Sequence, residues 1–139
     1  MIVLFIATTI IGGSRLMIII RCNSPFVNSV PPAVWIPNQT VGAPLGYEVT
    51  LNCHIEAYPA SVNYWLREST GEIIESNDKY AVLEETKDYK THLMLTIRSL
   101  DKEDLGGFTC FAKNLLGTQE GTVKLHGKFL FLLTILIRV

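Results

Sequence analysis

The most restricted chemistry in this sequence belongs to three cysteines, Cys22, Cys53 and Cys110. An odd number of cysteines in an exported chain predicts one disulfide and one remaining thiol. Cys22 lies beside an apolar N-terminal run, whereas Cys53 and Cys110 lie within patterned segments in the middle of the chain. We therefore predict a disulfide between Cys53 and Cys110 and assign no role to Cys22.

Other side chains with reactive or ligating chemistry form no recognisable motif. His54, His92 and His126 are far apart in the sequence, and none has a metal-ligand spacing with a cysteine. The chain has no nucleophile elbow, phosphate-binding loop, dinucleotide fingerprint or HExxH motif. We therefore predict a non-catalytic protein with no cofactor and no metal.

The net charge of the chain bears on nucleic-acid binding, and one short motif bears on N-glycosylation. The 12 basic and 13 acidic residues give a net charge of −1, so no basic surplus indicates nucleic-acid binding. The tripeptide Asn38-Gln39-Thr40 is the only N-glycosylation sequon. If the chain is exported, we expect a glycan on Asn38.

The two ends of the chain are far more apolar than the middle. Residues 1–21 are predicted to be a hydrophobic signal or anchor segment, or a non-native end, and residues 22–31 a linker rich in Pro, Asn and Ser. Residues 128–139 are predicted to be a hydrophobic tail, either a partial anchor or a truncated end. Its nine-residue apolar run "FLFLLTILI" would reach only about half of a bilayer core as a helix. Residues 32–127 then form one domain.

The middle segment reads as a series of short strands, which must position the cysteines. Patterned stretches recur about every ten residues, which is typical of an all-β sandwich or barrel. In the clearest stretch, Leu93, Leu95 and Ile97 alternate with polar or outward residues. A hairpin turn is expected at 114–117, and strands are expected at 34–36, 47–55, 62–68, 79–85, 91–100, 107–113 and 118–126.

Cys53, Trp65 and Cys110 form a triplet that resembles the core of an immunoglobulin domain. Trp65 follows Cys53 by 12 residues and Cys110 follows it by 57, as in a sandwich whose inter-sheet disulfide packs on a tryptophan. Residues 32–126 resemble the intermediate-type (I-set) immunoglobulin domains. The run "GAPLGYEVTLNCHIEAYPAS" is similar to the third immunoglobulin domain of the lachesin and Dpr-interacting-protein families, neuronal cell-surface proteins of arthropods.

The resemblance implies an all-β, two-sheet Greek-key sandwich of the I-set, with short hydrophobic segments at both ends. Its core is expected to contain the Cys53–Cys110 disulfide together with Trp65, Leu95 and Phe108. Phe108 stands where the family has a corner tyrosine, so we expect the loss of one hydrogen bond worth about 1 kcal/mol and no change of fold. Asp104 is expected to anchor its loop through a basic residue such as Lys79.

The resemblance also implies an extracellular adhesion or recognition module on a cell surface. Its partners would be other cell-surface proteins, possibly of the same superfamily, bound homophilically or heterophilically, with membrane association through the terminal segments. Strand parity points Tyr64, Leu66 and Phe111 outward, next to the turn at Leu115 and Leu116, and we interpret them as protein-binding candidates. A bulge in the strand of Trp65 could reverse this parity.

Two other functions are compatible with the same fold. A secreted single-domain binding protein predicts a cleaved signal and no C-terminal anchor. An intracellular structural immunoglobulin domain predicts reduced Cys53 and Cys110, with no glycan and no export. The hydrophobic N-terminus and the sequon favour an exported protein over the intracellular alternative.

Overall fold

The computed structural model describes the backbone of residues 3–11 and 15–23 and all of residues 28–128. One 3₁₀ turn spans Lys102–Asp104. The strands are β1 Val3–Ile11, β2 Arg15–Asn23, β3 Val30–Trp35, β4 Thr40–Pro44, β5 Val49–Tyr58, β6 Val62–Arg67, β7 Tyr80–Lys87, β8 Lys90–Ile97, β9 Gly106–Asn114 and β10 Gly117–Lys128.

Two four-stranded sheets form a sandwich. One has the order β3-β5-β8-β7 and the other β4-β10-β9-β6, while β1 and β2 pair separately as an antiparallel two-stranded sheet. Within the sandwich, β4 runs parallel to β10 and every other pairing is antiparallel. The all-β, two-sheet architecture expected from the sequence is confirmed.

The start of the sandwich differs from the expectation in two ways. Strand β3 begins at Val30 and includes Pro31 and Pro32, although the first strand was expected at 34–36. The register between β3 and β5 shifts between Val30 and Ala33, where two prolines have no amide to donate. Strand β4 was not predicted at all, because "TVGAP" is short and its pairing with β10 depends on residues more than 80 positions away.

The core lies between the two sheets and forms around the predicted disulfide. Cys53 of β5 and Cys110 of β9 are bonded across the sandwich, and Trp65 of β6 lies directly opposite Cys110. Trp65, Leu95 and Phe108 are fully buried in this core. Strand β8 buries every second residue, as its alternating sequence predicts.

A buried carboxylate fixes the loop that leads into β9. The Lys79 ammonium lies 2.7 Å from Asp104 Oδ2, which confirms the expected pair, and the Asp101 amide donates to the same oxygen. The Tyr80 hydroxyl donates to Asp104 Oδ1 at 2.8 Å. Tyr80 on β7 therefore supplies a phenolic hydroxyl to this corner, although Phe108 on β9 has none.

The structure describes the predicted N-terminal segment only by its backbone and the predicted C-terminal tail hardly at all. The C-terminal tail lies outside the described residues apart from Lys128, the last residue of β10. Strands β1 and β2 cover most of the segment predicted as a signal or anchor. Within the described residues, no helix is long and apolar enough to cross a membrane. The division of the ends into signal, linker and tail remains a prediction.

Candidate functional site

The predicted binding residues lie on the outer face of the β4-β10-β9-β6 sheet. Trp65 points into the core, so Tyr64 and Leu66 point outward on β6, and Phe111 points outward on β9. Val62 is also outward and is 68% exposed, so no bulge reverses the parity. Ile73, which forms an isolated bridge to Leu66, is 56% exposed. We call these five residues the outer stripe.

The middle of the outer stripe is ordered by ring stacking. Tyr64 and Phe111 face each other across β6 and β9, with ring centroids 5.3 Å apart and planes 11° apart. Leu66 lies opposite Thr109, whose hydroxyl is hydrogen-bonded to that of Thr122 at 3.0 Å. Tyr64, Leu66 and Phe111 are each half-buried, because they cover one another along the face.

Charged and polar side chains border the outer stripe on the side of β9 and β10. Lys113 lies opposite Val62, and Glu120 lies opposite Phe111. Lys124 and Glu68 form an ion pair just beyond the C-terminal end of β6, at the end of the outer stripe where Leu66 lies. An apolar centre with a charged border is the usual composition of a protein-binding surface.

The turn between β9 and β10 continues the apolar surface at one end of the sandwich. Leu115 is 81% exposed and Leu116 is 39% exposed. The Asn114 side chain fixes this turn, because its amide donates to the carbonyls of Val30 and Pro59 and its oxygen accepts from the Leu116 amide. The hairpin turn predicted at 114–117 is confirmed, and it lies next to Val62 at the start of β6.

The sequon lies where the chain passes from one sheet to the other. Asn38 is exposed between the end of β3 and the start of β4, and Thr40 is the first residue of β4. An exposed connection of this kind is accessible to a glycosylating enzyme. Glycosylation of Asn38 remains a prediction.

The opposite outer face carries a row of rings that the sequence reasoning missed. Trp35, His54 and His92 lie side by side across β3, β5 and β8. The Trp35 and His54 ring centroids are 5.3 Å apart, and the two imidazoles stack at 4.4 Å. The rings line a groove of about 740 Å³. Alternation alone points both histidines outward, but only the β5–β8 register brings them together.

A metal site could also be formed by a cluster of three or more ligating side chains. Across residues 3–11, 15–23 and 28–128, no group of three or more His, Cys, Asp and Glu side chains is placed to hold a metal ion.

The chain matches the immunoglobulin domain family over residues 31–114 and belongs to that family. Lachesin of Schistocerca americana is 32% identical over 96 residues, which are 68% of this chain and 27% of lachesin. Neural cell adhesion molecule 1 of Bos taurus is 31% identical over 99 residues, which cover 70% of this chain and 11% of that protein.

A solved structure agrees with these relatives. A chain in the complex of Dpr2 Ig1-Ig2 with DIP-Theta Ig1-Ig3 is 40% identical, with a TM-score of 0.69. The match covers 72% of this chain and 33% of that chain. The resemblance to lachesin and to Dpr-interacting proteins is confirmed, whereas the assignment to a third domain remains a prediction. The chain spans about a quarter of the length of lachesin.

Proposed function

We propose that this chain is a non-catalytic, extracellular recognition module that binds another immunoglobulin-superfamily protein on a cell surface. The outer stripe is the binding surface, and the observation that carries the proposal is its continuous apolar centre on one sheet face. Membership in the immunoglobulin family and the similarity to adhesion proteins support this function. A neuronal setting is supported by the similarity to neural cell adhesion molecule 1.

The outer stripe is proposed to bind a partner of the immunoglobulin type. The partner chemistry is supported by the matched Dpr2 and DIP-Theta structure, which is a complex between two proteins built of such domains. Tyr64 and Phe111 provide rigid aromatic area at low entropic cost, which is typical of residues that dominate binding energy. The Cys53–Cys110 disulfide is consistent with an oxidising, extracellular compartment.

The double substitution Leu66→Ser with Phe111→Ser tests the binding surface. The original chain is screened against an array of purified immunoglobulin-superfamily ectodomains that includes a second copy of itself. We expect binding to at least one ectodomain and its loss in the double variant, because the apolar centre of the interface is removed. The melting temperature should fall only modestly, since both side chains are half-buried on the outer face and lie outside the sandwich core.

Leu83→Ser is the matched control. Leu83 is 52% exposed on β7, on the outer face of the other sheet, so its substitution removes a similar apolar area elsewhere. Binding should persist in this control. Retained binding in the double variant, or no binding by the original chain to any ectodomain on the array, would refute the proposed surface.

A further inference from the structure

A pair of histidines on the other sheet carries an inference that is independent of the proposed binding surface. His54 of β5 and His92 of β8 are directly opposite each other in the register. Their ring centroids are 4.4 Å apart and their planes differ by 16°. Both rings face the open groove, so a small ion in solvent can reach them. Neither ring contributes to the sandwich core.

The contacts of the pair leave ring nitrogens with lone pairs. His92 Nε2 lies 2.9 Å from Asn52 Oδ1. A carboxamide oxygen only accepts hydrogen bonds, so Nε2 is the donor of this contact and Nδ1 is the nitrogen whose lone pair a metal ion can take. Burial, and then repulsion from the imidazole of His92 when that ring is protonated, lower the pKa of His54.

We propose that His54 and His92 together bind a late first-row divalent transition-metal ion, with Cu²⁺ bound most tightly and Zn²⁺ less so. Neutral imidazole is a preferred ligand of both ions, and Cu²⁺ stands highest in the affinity order of these metals. Asn52 is a positioning residue, because a hydrogen bond to the second ring nitrogen fixes the orientation of a ligating histidine.

The surroundings of the pair suit a cation of moderate affinity. Glu85 lies opposite His92 on β7 and places a negative charge beside the site. Asn52 holds the His92 ring, so the His54 ring must turn about χ2 to direct its nitrogen at the same ion, which is a soft torsion for histidine. Water completes the coordination, so the affinity is below that of a four-ligand structural zinc site.

Trp35 provides a built-in reporter of occupancy. Its ring centroid lies 5.3 Å from that of His54, and its side chain is 63% exposed. Trp65, the other tryptophan of the chain, is fully buried between the sheets. Bound Cu²⁺ is paramagnetic and should quench the nearby Trp35 emission much more than that of Trp65. Trp35→Phe assigns the quenched signal.

The experiment is a fluorescence titration of the full chain with Cu²⁺ at neutral pH. We expect saturable quenching, lost in both His54→Gln and His92→Gln over the concentrations that saturate the original chain. His126→Gln is the matched control and should quench as the original does, because His126 lies on β10 of the other sheet. The proposal would be overturned if the original chain and all three histidine variants showed equal saturable quenching, or if the original chain showed none.

Two further measurements separate a built site from loose surface binding. Asn52→Ala should weaken the Cu²⁺ affinity about tenfold, because the orientation of His92 is lost. Zn²⁺, which does not quench, should raise the melting temperature of the original chain but not of His54→Gln, whereas Mg²⁺ and Ca²⁺ should have no effect. An equal Zn²⁺ shift in His54→Gln, or an unchanged affinity in Asn52→Ala, would contradict the assigned ligands or the role of Asn52.

Discussion

At the residue scale, Asp104 shows how one carboxylate organises a corner of the sandwich. Burial raises the pKa of Asp104, but hydrogen bonds from Lys79, the Asp101 amide and Tyr80 outweigh burial and hold that pKa below its ordinary value. The Arg67 guanidinium completes the network by donating to the Tyr80 hydroxyl. The carboxylate is therefore stabilised in its charged form, and its contribution to folding depends on pH.

Substituting Asp104 with Asn should lower the free energy of unfolding at neutral pH. We expect a loss of about 1.5 to 3 kcal/mol, the usual contribution of hydrogen bonds to a charged group. The loss should not be larger, because Lys79 is partly exposed and solvent screens its attraction to Asp104. A pKa that is lower in the folded than in the unfolded state gives a contribution that is complete above the unfolded value. Urea unfolding at neutral pH measures the difference.

The same two proteins give the pH dependence. The Asp104 contribution should disappear as the pH falls through the lowered pKa, which lies below the ordinary aspartate pKa of 3.8. The stability difference between the original chain and Asp104→Asn should therefore shrink in acid. A difference that stays constant from neutral pH to well below 3.8 would show that protonation of Asp104 is not linked to folding.

The sequence could predict part of this corner. The pairing of Asp104 with Lys79 follows from the family resemblance and is confirmed. The absence of a hydroxyl at Phe108 is also visible in the sequence, but the hydrogen bond from Tyr80 to Asp104 is not. Tyr80 and Asp104 are 24 residues apart on different elements, and no local pattern links them.

At the element scale, the close approach of β3 and β10 depends on a glycine. A Cβ atom at Gly121 of β10 would lie 2.7 Å from Ile36 Cγ1 and 3.1 Å from Val34 Cγ1. These are packed side chains of β3 and the residue that follows it, so they have little room to move. Gly121 thus lets β10 of one sheet approach the first strand of the other.

Gly121→Ala should destabilise the fold by about 1 to 3 kcal/mol, the usual cost of overpacking. Gly42→Ala is the matched control, because its added Cβ meets only the flexible side chain of Lys128. Its effect should stay within about 0.5 kcal/mol. Chemical denaturation of both variants measures the two changes. Equal effects in the two variants would mean that the approach of β3 to β10 is not constrained at Gly121.

The strands themselves were largely predictable, and the reasons are physical. Period-two alternation identifies β5, β8 and β9, because each buries one face against the other sheet. Alternation cannot reveal β4, a five-residue strand whose partner is β10. Nor can it reveal the register that brings His54 to His92, which arises from the β5–β8 pairing.

At the scale of the whole molecule, the disulfide, the glycan and the mass of the native protein test whether the chain is exported and whether it is part of a longer protein. Mass spectrometry of the protein from its source should show a gain of two hydrogens on reduction, from the Cys53–Cys110 disulfide. Enzymatic deglycosylation should lower the mass, and Asn38→Gln should abolish that shift. No change in either treatment would contradict an exported, glycosylated module. A species several times heavier than 15.5 kDa would identify one domain of a longer protein.

The parallel pairing of β4 with β10 has a mechanical consequence. The chain enters the sandwich through β3, crosses to β4 in the other sheet and leaves at the end of β10. Strands β4 and β10 are in register from Thr40–Lys124 to Pro44–Lys128. Tension that reaches β4 from its N-terminal side and β10 from its C-terminal side pulls these parallel strands past each other, so their hydrogen bonds carry the load together as shear. The pairing of β4 with β10 therefore resists traction collectively, because every hydrogen bond between the two strands is loaded at the same time.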